Sequence, residues 1–177
     1  MHDFENCLKE ATSRICATYF QLPVVGLESP IYRERVYCYE LYYQLRINWT
    51  EPDYFLSGEV DKSGHPMIRG NHLDRTKPDF LVHVPGGMNN FAVVEVKPIT
   101  GSVKGIKKDI QTLGAYLDYA NYQRAFYLIY GCSDDGNALT RARAKIIEVN
   151  EEHRIELWHH AAPMTPASRV PLEQSGA

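Results

Sequence analysis

Two short apolar segments in the middle of the chain follow one another across a stretch of turn-forming residues. Residues 77–84 and 91–98 are rich in valine, leucine and phenylalanine and are bounded by proline and glycine, a composition typical of β-strands. Residues 85–90, with the sequence PGGMNN, consist of residues that favour turns. The pattern therefore predicts an antiparallel β-hairpin.

Three charged residues interrupt the apolar positions of this hairpin. Asp79 stands at the entry of the first strand, and Glu95 and Lys97 stand near the end of the second. Because side chains alternate between the faces of a strand, Glu95 and Lys97 point the same way. Such charges are costly to bury, whereas two converging carboxylates can bind a hard divalent cation such as Mg²⁺. A lysine beside that cation would orient its water or stabilise negative charge on a phosphate.

The pair Pro78-Asp79, followed by Glu95-Val96-Lys97, resembles the signature of the PD-(D/E)XK nuclease superfamily, and all four signature positions match. The resemblance implies a restriction-endonuclease-like fold and metal-dependent hydrolysis of phosphodiester bonds. In that case Asp79 and Glu95 would bind Mg²⁺, and Lys97 would position the attacking water. The alternative is a surface hairpin with an ordinary glutamate–lysine pair.

Two helices are predicted before the hairpin. Apolar residues recur at helical spacing over residues 3–20, and a second helix is expected from Ser29 as N-cap to about Ile47. The tyrosines of the second helix are assigned to the core and its boundary rather than to base stacking. In the resembled family a glutamate of this helix often completes the metal site. Glu40 would match that glutamate, and Glu34 is the other candidate for the same role. The alternative is that Glu40 is an ordinary solvated residue of the helix.

A helix over residues 102–120 is predicted after the hairpin by an apolar stripe. Lys104, Lys107 and Lys108 crowd its first turns, where cations oppose the helix dipole, so they either contact a backbone phosphate or form a solubilising face. Gln111 matches a glutamine that several branches of the superfamily carry on this helix, which would contact the metal water or a phosphate. The aromatic residue that follows is Tyr116, five residues on rather than four, and is expected in the core.

Further apolar segments predict strands at residues 54–60, 124–131 and 153–160 and a helix at 138–149. Glu59 is either a further carboxylate near the site or exposed, and the polar loop 65–77 either carries substrate contacts or is simply solvated. The expected fold is α/β, a restriction-endonuclease-like core with a mixed sheet of about five strands flanked by helices. It would form one domain over residues 1–160, with a disordered tail at 161–177.

Composition limits the classes of protein that fit. A chain of 177 residues with 44% hydrophobic and 23% charged residues is typical of one globular domain, and no apolar run approaches a membrane span. The N-terminus lacks a signal-peptide pattern, which predicts a cytoplasmic protein with four reduced cysteines, mostly in the core. The net charge of −3 argues against strong non-specific binding to nucleic acid, although a local basic patch is compatible with it.

The sequence thus favours an Mg²⁺-dependent endonuclease acting most readily on DNA, with Mn²⁺ expected to substitute. A homodimer or a larger complex is compatible with this prediction. Two alternatives stay open: a catalytically silent binding or regulatory module of the same fold, and a subunit active only within a larger nucleic-acid-processing or defence complex.

Overall fold

A mixed β-sheet forms the centre of the chain in the computed structural model, which describes residues 4–60, 73, 76–149 and 155–172. Within these residues the sheet has six strands in the order β1 to β6. Strands β1 to β3 are antiparallel, β3 to β5 are parallel, and β6 returns antiparallel to β5. The strands are β1 (Phe55–Gly58), β2 (Phe80–His83), β3 (Asn90–Pro98), β4 (Tyr122–Tyr130), β5 (Ile155–His160) and β6 (Ser168–Arg169).

Helices cover both faces of the sheet. They are α1 (Phe4–Thr12), α2 (Ala17–Phe20), α3 (Glu34–Ile47), α4 (Val103–Tyr119) and α5 (Ala138–Val149). Apolar residues of α1, α2 and α3 pack on one face with Val94 and Val96, whereas those of α4 and α5 pack on the other with Val93 and Tyr127. None of the helices in the described part of the chain combines the length and the apolar character that crossing a membrane requires.

The central part of the predicted topology is confirmed. Strands β2 and β3 form the expected antiparallel hairpin, in which Phe80 pairs with Val94. Helix α4 then leads to β4, which lies parallel to β3, as an apolar strand after a helical crossover requires. Helix α5 has the predicted bounds. Helix α4 begins at Val103 and is capped by Ser102, whose hydroxyl accepts a hydrogen bond from the Gly105 amide.

The two N-terminal helices differ from their predicted bounds. The expected helix 3–20 divides into α1 and α2, because Thr12 and Ser13 turn their hydroxyls back onto helix carbonyls and the helix ends there. Helix α3 begins at Glu34 rather than near Ser29. The reason is that Ile31 forms a β-bridge with Leu22, which holds the preceding backbone extended.

Residues 161–172 pack on the domain instead of forming a disordered tail. Strand β6 adds to β5, so the sheet has six strands rather than five, and β5 is not at its edge. The Ala167 amide donates to Thr12 Oγ1 at 2.8 Å, and the Met164 amide donates to the Ile15 carbonyl. The domain therefore extends beyond the expected boundary at residue 160, and residues 173–177 lie outside the described part.

The four cysteines are free thiols, as expected for a chain with scattered cysteines. Cys38 is buried and Cys7 is half-buried, but Cys16 and Cys132 are exposed, so the expectation that most lie in the core is wrong.

Candidate active site

The β2–β3 hairpin brings the three predicted charges together. Phe80 pairs with Val94, so continuing this register places Asp79 beside Glu95. The Val96 amide donates to Asp79 Oδ2 at 2.7 Å, which fixes the carboxylate against β3. By strand alternation Asp79, Glu95 and Lys97 lie on the face that carries α4, the face of the buried residue Val93.

An open cavity of about 300 Å³ lies at this point, where the carboxyl end of β3 leads into α4. Open α/β sheets commonly bind their ligands outside the carboxyl ends of their strands. Acidic and basic side chains of α3, β3 and α4, and of the segments that follow β1 and precede β2, line the cavity. They are Glu34, Arg35, Glu59, Lys77, Asp79, Glu95, Lys97, Lys108 and Asp109, together with Cys38, Thr76 and Thr112.

The two hairpin carboxylates are difficult to ionise together. Burial raises the pKa of Asp79 to about 7. The hydrogen bond from the Val96 amide opposes this rise, and the negative charge of Glu34 adds to it to a smaller extent. Burial also raises the pKa of Glu95 well above its usual range, and the negative charges of Asp79 and Asp109 add to this rise. A cation bound between the carboxylates would relieve both effects, because it compensates the repulsion and replaces lost hydration.

Lys97 is held between two carboxylates. Its Nζ lies 2.8 Å from Glu34 Oε2 and 3.1 Å from Asp109 Oδ2. Burial by itself would lower the pKa of Lys97, but the hydrogen bonds and charges of Glu34 and Asp109 outweigh burial and raise it. The stem of the lysine passes over Gly101, where an added Cβ would lie 2.6 Å from Lys97 Cγ. Lys97 is therefore a positioned, permanently charged ammonium at neutral pH.

The helix glutamate that contacts the site is Glu34, not Glu40. Glu34 is the first residue of α3 and reaches Lys97, whereas Glu40 accepts a hydrogen bond from Gln44 Nε2 at 2.7 Å and is absent from the cavity wall. Six residues correspond to roughly 1.7 turns, so the two glutamates leave the helix in different directions. The sequence analysis preferred Glu40 from the resemblance and kept Glu34 as the other candidate.

Asp109 is a site residue that the sequence analysis missed. It belongs to α4 and accepts hydrogen bonds from Lys97 and, at 3.3 Å, from the Tyr127 hydroxyl. Burial raises the pKa of Asp109, and the charge of Lys97 opposes that rise. The signal was present in the sequence, since Asp109 interrupts the apolar stripe between Ile106 and Leu113. A carboxylate on the buried side of a helix requires a partner.

The three lysines of α4 are all exposed, but only Lys108 lines the cavity, and Lys104 and Lys107 lie outside it. Gln111 is also absent from this wall. It lines a neighbouring cavity of about 350 Å³ that shares Thr76, Lys108 and Thr112 with the first. Tyr116 is fully buried, which confirms its assignment to the core.

The positions of Glu59 and of the end of the polar loop can now be stated. Glu59 is exposed and also lines the cavity, where its carboxylate pairs with Arg35 Nε at 3.6 Å. Of the polar loop 65–77, Thr76 and Lys77 also line the cavity, while residues 65–72, 74 and 75 lie outside the described residues.

The site offers Mg²⁺ a pair of carboxylates. Among the residues described, no group of three or more histidine, cysteine, aspartate or glutamate side chains is arranged to hold a metal ion. Mg²⁺ in proteins usually takes one or two carboxylates and completes its shell with water and substrate phosphate. The paired carboxylates of Asp79 and Glu95 beside an open cavity fit that requirement.

The chain has no significant match among protein-family models, curated proteins or solved structures. In the part of the chain that the structure describes, the fold and the cavity define an α/β protein with a mixed, open six-stranded sheet and a cluster of carboxylates around Lys97 at the end of β3.

Proposed function

We propose that this protein is a metal-dependent nuclease that hydrolyses phosphodiester bonds, with DNA as the favoured substrate. The observation that carries the proposal is the pair of half-buried Asp79 and buried Glu95, whose raised pKa values favour a bound cation, beside the charged Lys97 in an open cavity. Ionisable groups with strongly shifted pKa values cluster at functional sites.

Each residue has a role in this proposal. Asp79 and Glu95 would hold Mg²⁺, with Glu34 replacing Glu40 as the third acid near it. When bound, the cation would polarise a phosphoryl oxygen and lower the pKa of a bound water. Lys97 keeps its proton at neutral pH, so it orients the attacking water by donating to it and stabilises negative charge on the phosphate rather than acting as a base. Asp109 holds Lys97 in place.

The arrangement of elements supports the restriction-endonuclease-like class that the signature residues suggested. An antiparallel hairpin carries the acids and the lysine, and its second strand continues through a helix into a parallel strand. The acids and the lysine come from the positions that the superfamily signature specifies, which supports an intact rather than a degenerate site.

The main alternative is a binding or regulatory module that has this fold but no catalytic activity, or a subunit that is active only in a complex. The net charge of −3 and the engagement of Lys97 by both Glu34 and Asp109 favour it. Under this alternative, Lys97 is a structural ion pair rather than a group available to substrate.

Cleavage assays separate these functions. Single-stranded, duplex and circular DNA and RNA are incubated with Mg²⁺, Mn²⁺ or a chelator. The matched variants are Lys97→Ala and, as a control, Arg141→Ala, an exposed cation of α5 outside the cavity. Metal-dependent cutting that Lys97→Ala abolishes and Arg141→Ala retains is the expected result.

Metal binding is measured in parallel by thermal unfolding. A cation that binds only the folded state should raise the unfolding free energy by about 2.7 kcal/mol at a hundredfold excess over its Kd. A stable protein with neither cutting nor a metal-induced shift would contradict the proposal and favour the binding module. A clear metal shift without cutting would favour a subunit that requires a partner.

A further inference from the structure

An apolar groove adjoins the open cavity of the candidate active site, which is called the acidic cavity below. It has a volume of about 260 Å³ and lies between α3 and the strands β1 and β2. Its own walls are Tyr39, Tyr42, Gly58 and Phe80, and it shares the residues Cys38, Glu59 and Asp79 with the acidic cavity. A ligand in the groove would therefore be in direct contact with the edge of the candidate active site.

The aromatic side chains of the groove differ in how tightly they are packed and how far they are exposed. The Tyr42 ring stacks on Phe80 with their centroids 6.1 Å apart and an interplanar angle of 16°, and its hydroxyl donates to the Leu56 carbonyl. Tyr39, in contrast, is 63% exposed, although it lines an apolar groove. Exposed aromatic surface beside a polar cavity is a common feature of ligand sites. A flat ligand would gain contact with an aromatic face here.

Arg35 places a positive charge next to the junction of the groove and the acidic cavity. Arg35 lies four residues before Tyr39, on the same side of α3, and its side chain lines the acidic cavity. Tyr43 continues the row one turn further on and is 57% exposed. A basic side chain followed by exposed aromatic rings is the composition by which proteins bind single-stranded nucleic acid, because the cation meets the backbone and the rings stack on bases.

We propose that this groove is a nucleobase subsite, in which a base of a single-stranded nucleic acid stacks on Tyr39 while the adjacent backbone reaches the acidic cavity past Arg35. The proposal rests on the proposed nuclease function and specifies its substrate. Bases of a duplex are already stacked on their neighbours, and exposing one requires unpairing and unstacking it. The subsite therefore selects single strands, ends or unpaired segments over intact duplex.

Fluorescence anisotropy with a labelled 12-nucleotide DNA and its intact duplex tests the proposal. Both probes carry phosphorothioate linkages to slow hydrolysis, and binding is measured with Mg²⁺. Tyr39→Ala is expected to weaken binding of the single strand by about 5- to 150-fold, since stacking on an aromatic side chain contributes about 1–3 kcal/mol per base. Tyr39→Phe should retain that binding, and the weaker binding of the duplex should change little in either variant.

Tyr19→Ala is the matched control, because Tyr19 is a helical tyrosine that is 45% exposed and lies outside the groove. Unchanged binding of the single strand by Tyr39→Ala, or an equal loss for Tyr19→Ala, overturns the subsite. So does a probe that fails to bind the wild-type protein.

The two proposals fail separately. The protein could cut nucleic acid in a metal- and Lys97-dependent way while Tyr39→Ala leaves single-strand binding unchanged. That result would support the nuclease function and contradict the subsite. Single-strand binding that depends on Tyr39, without cutting under any metal, would support the subsite and contradict hydrolysis by the isolated chain.

Discussion

Lys97 connects the two sides of the sheet at the candidate active site. Glu34 reaches it from α3, which packs on one face, and Asp109 reaches it from α4, which packs on the other. Each carboxylate limits where the ammonium can move, so the position of Lys97 depends on both helices. A shift of about 1 Å in a group of this kind can reduce the rate of a reaction by two orders of magnitude.

The choice between the two glutamates of α3 can be tested directly. We expect Glu34→Gln to lower kcat by about 10- to 100-fold, because Lys97 loses a charged partner and the site loses an acid. Glu40→Gln is the matched control and should stay within about twofold, since a glutamine oxygen can still accept from Gln44. An equal loss of kcat in steady-state assays of both variants would contradict the choice of Glu34 over Glu40.

Asp109 is expected to position Lys97 rather than touch substrate. Asp109→Asn should therefore lower kcat by about 10-fold with little change in KM. It should also move the alkaline limit of the pH–rate profile to lower pH, because Asp109 contributes to the raised pKa of Lys97. Asp118→Asn, on the exposed side of the same helix, is the control. A rise in KM with an unchanged pH profile would exclude the positioning role.

The raised pKa of Asp79 predicts how stability depends on pH. The folded carboxyl titrates at about 7 instead of 3.8, so between these values the folded protein holds a proton that the unfolded chain has released. The free energy of unfolding should consequently fall as pH rises from about 4 to 7 and remain low above that.

Asp79→Asn removes this group and keeps an oxygen that can accept from the Val96 amide. We expect the variant to be more stable by about 1–2 kcal/mol at pH 8 and by much less at pH 4, as urea unfolding would measure. The pH dependence should decrease but persist, since Glu95 also has a raised pKa. Asp53→Asn, at an exposed loop position, should change neither value. A loss of stability at pH 8 would contradict the assignment.

Residues 161–172, which follow β5, connect the edge of the sheet to α1, and we call this segment the clasp. Arg169 of β6 pairs with Glu156, and Ala167 is buried against α1, where its amide donates to Thr12 Oγ1. Strand β6 also shields β5, whose edge would otherwise be free to pair with another chain. The short final strand therefore contributes to the stability and solubility of the whole sheet.

Thr12→Val tests this clasp. The substitution keeps the shape of the side chain but leaves the buried Ala167 amide without its acceptor, which should cost about 1–3 kcal/mol in the free energy of unfolding. Ser13→Ala removes a neighbouring hydroxyl that only bonds within α1 and is exposed, so it should change stability by less than about 0.5 kcal/mol. Equal effects in urea unfolding would mean that the clasp contributes nothing.

The distribution of charge over the molecule bears on the proposed binding of nucleic acid. A net charge of −3 and a carboxylate-rich cavity repel a polyanion, so attraction depends on local cations and on metal. Lys104, Lys107 and Lys108 form an exposed group at the start of α4, with Lys108 at the cavity. Under the proposed nuclease function, this group would contact phosphates on either side of the cleaved bond.

Replacing Lys104, Lys107 and Lys108 together by alanine should weaken binding of single-stranded DNA. The salt dependence of log K should also become shallower, by about 0.7 for each phosphate that the variant no longer neutralises. Arg141→Ala, on the exposed side of α5, is the control, and its salt slope should match that of the wild type. A shallower slope for Arg141→Ala alone would place the phosphate path on α5 instead. Anisotropy titrations at several salt concentrations measure both slopes.

Local patterns were enough to predict the hairpin, the strand β4, the bounds of α5 and the grouping of Asp79, Glu95 and Lys97. Each follows from the alternation along a strand, from turn chemistry or from helical periodicity, which act over a few residues. The acid pair needed only the register of one hairpin, and a hairpin with a short turn largely fixes its own register.

Glu34, Asp109 and β6 depend on contacts between segments that are far apart in the chain. Glu34 reaches Lys97 because α3 begins only after a bridge between Leu22 and Ile31, and Asp109 reaches it because α4 folds back over β3. Strand β6 lies in a proline- and serine-containing segment that has no strand signal of its own and pairs because β5 offers an open edge. Packing decides such contacts, since they gain free energy only when the whole sheet and both helix layers are assembled.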